Sequence, residues 1–126
     1  MAKYVDGFVF VVSKDKVEEY KKMASEGRDI WMKYGALEYY ECLGNDLEPK
    51  EMGEMKNLSF TELAKANQDE TVWFSFIVYS SKEHRDEVNK KVMDEMNEKY
   101  KDGQNMAMPF DMRRMATGGF SVEVEG

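Results

Sequence analysis

The sequence has one cysteine, Cys42, and one histidine, His84. A lone cysteine excludes an internal disulfide and fits a reducing compartment, so the chain reads as cytoplasmic. One histidine and one cysteine are too few for the usual zinc set, and neither a metal nor a cofactor is expected. Basic residues are the minority: 18 Lys and Arg stand against 25 Asp and Glu, a net charge of −7. That balance argues against nucleic acid or an anionic membrane as a partner. No apolar run approaches the roughly 20 residues of a membrane-spanning helix. Met1-Ala2-Lys3-Tyr4 enters an apolar stretch with no small-residue cleavage site, so no signal peptide is expected. Walker and dinucleotide loops are missing. His84-Arg85-Asp86 lacks the glycine-rich loop and Asp-Phe-Gly of a kinase, and no Ser-His-Asp nucleophile elbow is present.

What is there is a well-patterned chain of 126 residues, 42% apolar and 13% aromatic, enough for one packed domain over residues 1–126. Tyr4 to Val12 reads as a strand with both faces largely apolar. Ser13 is placed to cap a helix from about Lys14 to Tyr34, on which Val17, Tyr20, Ala24, Gly27, Trp31 and Tyr34 form one stripe, with Gly35 as C-cap. Ala36–Leu43 and Thr71–Ser80 read as strands. Ser80-Ser81-Lys82-Glu83 has capping-box spacing for a second helix, with His84, Val88, Val92 and Met96 on one face. A last strand is expected from Phe120 to Glu125, after Gly118-Gly119.

Strand, helix, strand, strand, helix, strand is the α+β, ferredoxin-like βαββαβ arrangement: a four-stranded antiparallel sheet with two helices on one face. Strands one and three are apolar on the other face as well, which a water-facing antiparallel sheet avoids. The economical cover is a second copy, so a homodimer through the sheet face is expected. Two long connections remain, residues 44–70 and 101–117. In the first, Ser59-Phe60-Thr61-Glu62 is placed to cap a short helix through Ala66. Lid, dimer arm and plain packing are all open for both connections.

Several stretches also resemble the small bacterial YbaA-like proteins, a family of unknown function in the dimeric α+β barrel superfamily. They are Tyr4-Val5-Asp6-Gly7-Phe8-Val9, Gly35-Ala36-Leu37-Glu38-Tyr39 with Glu41-Cys42, Val72–Tyr79, His84-Arg85-Asp86 with Val88-Asn89, Val92-Met93, Met108-Pro109-Phe110-Asp111, Arg114-Met115 and Gly118-Gly119-Phe120. The resemblance runs nearly end to end and is weakest from Asn45 to Ala66. It implies sheets paired as a dimeric α+β barrel. It carries over no catalytic residue, and fold analogy does not fix function.

The candidate polar residues are few. His84, in a helix's first turn, would be a neutral base or acceptor, or a hydrogen-bonded residue at the core margin. Asp6 among phenylalanines needs a partner or a raised pKa, and would serve as base, ligand anchor, or carboxylate bonded to backbone or Arg114. Glu38 and Glu41 lie on opposite strand faces, so at most one shares a cavity with Asp6. Arg114 would bind an anion or pair with Asp111. Cys42 reads as buried and inert. The 11 methionines, six of them between Met93 and Met115, read as a pliable core or adaptable wall.

The sequence therefore points to a homodimer binding an unidentified small molecule between sheet and helices or at the barrel mouth. Its walls would be Phe8, Phe10 and Trp73, with Trp31, Phe74 and Phe76. A cofactor-independent enzyme on an apolar or aromatic substrate is one form of that reading, with His84 or Asp6 as catalytic base and Arg114 as anion anchor. The alternative is a non-catalytic dimeric interaction or stress-related module, with residues 44–70 as its contact surface.

Overall fold

The computed structural model describes residues 2–49, 57–100 and 109–126. Strands β1 (Tyr4–Ser13), β2 (Glu38–Leu43), β3 (Glu70–Tyr79) and β4 (Ala116–Ser121) form one antiparallel sheet in the order β2-β3-β1-β4. Helices α1 (Val17–Lys33) and α3 (Lys82–Lys99) cover one face, and the short α2 (Phe60–Ala64) lies in the connection between β2 and β3. This is the expected α+β, ferredoxin-like arrangement. The β1–β3 pairing is its spine, running from Tyr4 opposite Tyr79 to Ser13 opposite Glu70.

Local chemistry sets the ends of the elements. Ser13 makes no side-chain cap, and a 3-10 turn over Lys14–Lys16 precedes α1. Gly35 closes α1 with φ 109°; its N–H donates to Met32 O at 3.2 Å and Ala36 N–H to Trp31 O at 3.1 Å, a Schellman closure that needs glycine at this φ. Ser59 caps α2, accepting from Glu62 N–H at 3.0 Å. For α3 the cap is Ser81, accepting from His84 N–H at 3.1 Å, one residue later than the Ser80–Glu83 spacing implied. The last strand is also displaced from Phe120–Glu125, because Gly118 and Gly119 lie inside β4 rather than before it. The Phe120 ring lies over Gly7 and Gly118, and the Tyr4 phenol lies where a Cβ on Gly119 would stand. Rings over strand glycines hold the pairing that glycine itself weakens.

On the helix side the core has two centres. Phe10, Val12, Tyr20, Ala24 and Trp73 make one, and Ile30, Ala36, Ile77, Tyr79, Val88 and Val92 the other. The outward face is treated unevenly. Ala64, Ala66 and Leu47 from the β2–β3 connection pack on Val11 and Val72, so the chain covers one end of that face itself. Phe74, Tyr40 and Phe120 stay exposed, and Leu58, Phe60 and Leu63 around α2 extend the apolar surface. Cys42 corrects its expected burial: on edge strand β2, opposite Phe74, its thiol is exposed and unpaired. Among the described residues no helix is long and apolar enough to cross a membrane.

Candidate functional site

The sheet, α1 and α3 do not close on one another completely. Between them lies a cavity of about 680 Å³. Small residues adjoin it: Gly27 stands in mid-α1, and Thr117 is the β4 position opposite Phe8. Phe8, Phe10, Tyr20, Trp31 and Phe110 give aromatic walls, and Met23, Met93, Met96 and Met115 pliable ones. The methionine surplus is thus partly a cavity wall.

Three carboxylates line this cavity; Glu26 is exposed, and Asp6 and Glu41 are each held differently. Asp6 is 6% exposed; its Oδ1 accepts from Arg85 Nη1 at 2.7 Å and its Oδ2 from Asn89 Nδ2 at 3.4 Å. Asn89 Oδ1 in turn accepts from Trp31 Nε1 and the Tyr79 hydroxyl, both at 3.1 Å. Arg85 also bonds Asp86 Oδ1 at 2.8 Å and lies 4.8 Å from the Tyr4 ring centroid. Strand β1 and the first turns of α3 are thereby tied through a neutralised ion pair.

Glu41 is the second carboxylate, brought onto the helix side by the alternation of β2 while Glu38 faces outward. Its Oε2 accepts from the Tyr20 hydroxyl at 2.6 Å and from Ser75 Oγ at 2.6 Å, and its Oε1 from the Tyr39 hydroxyl at 3.0 Å. Burial first, and then Glu41 itself, push the Tyr20 and Tyr39 phenols far above their ordinary value, so both remain neutral donors.

The structure brings together only part of the expected site. Asp6, Phe8, Phe10 and Trp31 line the cavity. His84 lies outside that lining: its Nδ1 accepts the Ser80 N–H at 2.9 Å, its ring stands edge-on to Tyr79, and Nε2 faces Gly35. Arg114 is committed elsewhere, to Glu70 at 2.8 and 2.6 Å and to Asp111 Oδ2 at 3.1 Å. Trp73 is a core residue whose Nε1 bonds Thr71 Oγ1 at 3.0 Å, and it borders a shallower cleft with Lys21 and Arg28. Phe74 and Phe76 are on the outward face. Sequence reasoning missed Arg85, Asn89 and the hydroxyl cradle of Glu41. Arg85 and Asn89 stand four apart on α3, a spacing that puts both on one side of a helix.

Residues 3–112 match the family described as a protein of unknown function, DUF1428. The chain belongs to the DUF1428 family. The DUF1428 match takes in every element from β1 to α3, including Asp6, Glu41, Arg85 and Asn89. The chain is 41% identical over 123 residues to the uncharacterized protein YbaA of Escherichia coli (strain K12), covering 98% of each chain. YbaA of Shigella flexneri is as similar, 41% over 98% of both chains. In fold, the chain resembles a dimeric ferredoxin-like protein from an uncultured marine organism, with a TM-score of 0.58 at 9% identity over 100% of both chains.

Proposed function

We propose that this DUF1428 protein binds a small, largely apolar molecule in the cavity between its sheet and helices, and does so as a homodimer. The observation that carries the reading is the cavity: large enough for a drug-sized ligand, aromatic and methionine-walled, with a minority of polar groups that include Asp6, Glu41, Arg85 and Asn89. Gly27 adds support, since a mid-helix glycine costs roughly 1 kcal/mol relative to alanine, and here its missing side chain leaves room beside Tyr39 and Trp31. For the dimer, the support is the exposed outward face, where Phe74, Phe120 and Tyr40 continue into Phe60 and Leu63 of α2. The ferredoxin-like protein that the chain resembles in fold is itself dimeric, which supports a dimer. The free, exposed Cys42 thiol favours a reducing compartment such as the cytoplasm.

The test is Nile red, a neutral apolar dye, added to native protein. We expect its fluorescence to rise and shift to the blue, and Gly27→Leu, which grows a side chain into the cavity, to abolish the change without lowering the melting temperature. Native protein that leaves the dye dark would show the interior to be filled and would end the pocket reading.

A further inference from the structure

We propose that the cavity selects a ligand with an apolar body and a cationic nitrogen, an aryl or alkyl amine, seated on Glu41. The proposal rests on the small-molecule reading above and names its ligand class. Five charged residues face the cavity: Asp6, Glu26, Glu41, Arg85 and Lys99. Asp6 and Arg85 neutralise one another at 2.7 Å, and Arg85 also serves Asp86. Glu26 is exposed, and Lys99, also exposed, lies 5.6 Å from the Tyr100 ring centroid. Glu41 differs from all of these. Its three partners are hydroxyls, and among the described residues no cation lies within ion-pair distance of it. The two contacts to Oε2 are both short, at 2.6 Å.

A carboxylate offers about four lone-pair sites, two per oxygen. Oε2 is filled by Tyr20 and Ser75, whereas Oε1 holds only Tyr39. One acceptor site therefore remains, on a half-buried anion beside aromatic rings. An N–H of an ammonium group fits that site on charge and on hydrogen bonding. A neutral alcohol would supply the bond without the charge, and a carboxylate ligand would be repelled.

Three probes share one apolar body: 2-(2-naphthyl)ethylamine, 2-(2-naphthyl)ethanol and 2-naphthylacetate, with affinities read by displacement of Nile red. Salt at 0.5 M screens the general attraction of an acidic protein for cations. The amine is expected to bind about tenfold tighter than the alcohol, the scale of a hydrogen bond to a charged group, with the acetate weakest. Glu41→Gln should erase that preference while leaving the alcohol's affinity in place, and Glu123→Gln on the surface should change nothing. If Glu41→Gln fails to fold, the amine-to-alcohol ratio of the native protein at high salt decides alone. Equal binding of amine and alcohol, or tighter binding of the acetate, overturns the proposal and leaves the cavity reading intact. If Nile red itself does not bind, the cavity reading falls and this proposal with it.

Discussion

Replacing His84 removes the acceptor of the Ser80 N–H and the wall against which Gly35 packs. Because Ser80 is exposed and its N–H can turn to water, His84→Ala should cost about 0.5–1.5 kcal/mol, the net worth of one hydrogen bond, seen as a lower urea midpoint, while Nile red binding is retained. Lost dye binding in a protein of unchanged stability would return His84 to the site. Its place in the first turn of α3 was legible from the sequence, as was its direction toward the sheet. What was not legible is that a tight turn at Ser80 brings a backbone N–H onto the ring. Asp6 shows the same limit: its need for a partner could be read from its phenylalanine neighbours. Arg85 as that partner depends on the docking of α3, a contact between residues far apart in the chain.

Among the elements, the segment before β4 shows how a charge cluster shapes a cavity it does not line. Arg114 clamps Glu70 at the start of β3 and bonds Asp111, which holds Phe110 and Met115 against the Phe10–Tyr20 cluster. The Arg114 guanidinium draws the Glu70 carboxyl below its ordinary value of 4.5. The backbone and side chain of Arg113, and then Arg114, hold Asp111 below its own. A carboxyl lowered in the folded state adds stability that is complete above its unfolded value and is lost as pH falls through the folded one. Arg114→Gln should thus lose about 1–3 kcal/mol at neutral pH, and denaturation curves should show that deficit shrinking below pH 4.5. A deficit independent of pH would mean that Arg114 contributes packing and not charge. Element order was readable because each strand and helix carries its own periodicity. Boundaries failed where glycines interrupt it: Phe120, Val122 and Val124 alternate like a strand, yet Val124 is 92% exposed and pairing stops at Ser121.

For the whole molecule, the two-sided apolarity of β1 and β3 pointed to a covered outward face. Part of that cover comes from α2 and Leu47 of the same chain, in the stretch where the sequence carried least pattern. The remainder defines the expected interface. Phe60→Asp combined with Phe74→Asp places two charges on it and should convert a dimer into a monomer by light scattering, with the helix side intact. Wild-type protein that is already monomeric at micromolar concentration would sink the homodimer. The cavity itself could not have been read from the sequence, since its volume is the residue of imperfect closure between two helices and a glycine-bearing strand.

The position of β1 at the centre of the sheet also dictates when the protein becomes foldable. Its long partner, β3, begins at Glu70, after α1, β2 and α2 have all been made, and its other neighbour is β4, near the end of the chain. A ribosome must therefore release an apolar ribbon well before anything exists to zip against it. Such distant pairing closes a large loop before it gains contacts, which slows folding toward milliseconds or longer. During synthesis β1 is thus the stretch most exposed to wrong partners, and chaperones holding the nascent chain would bind there first.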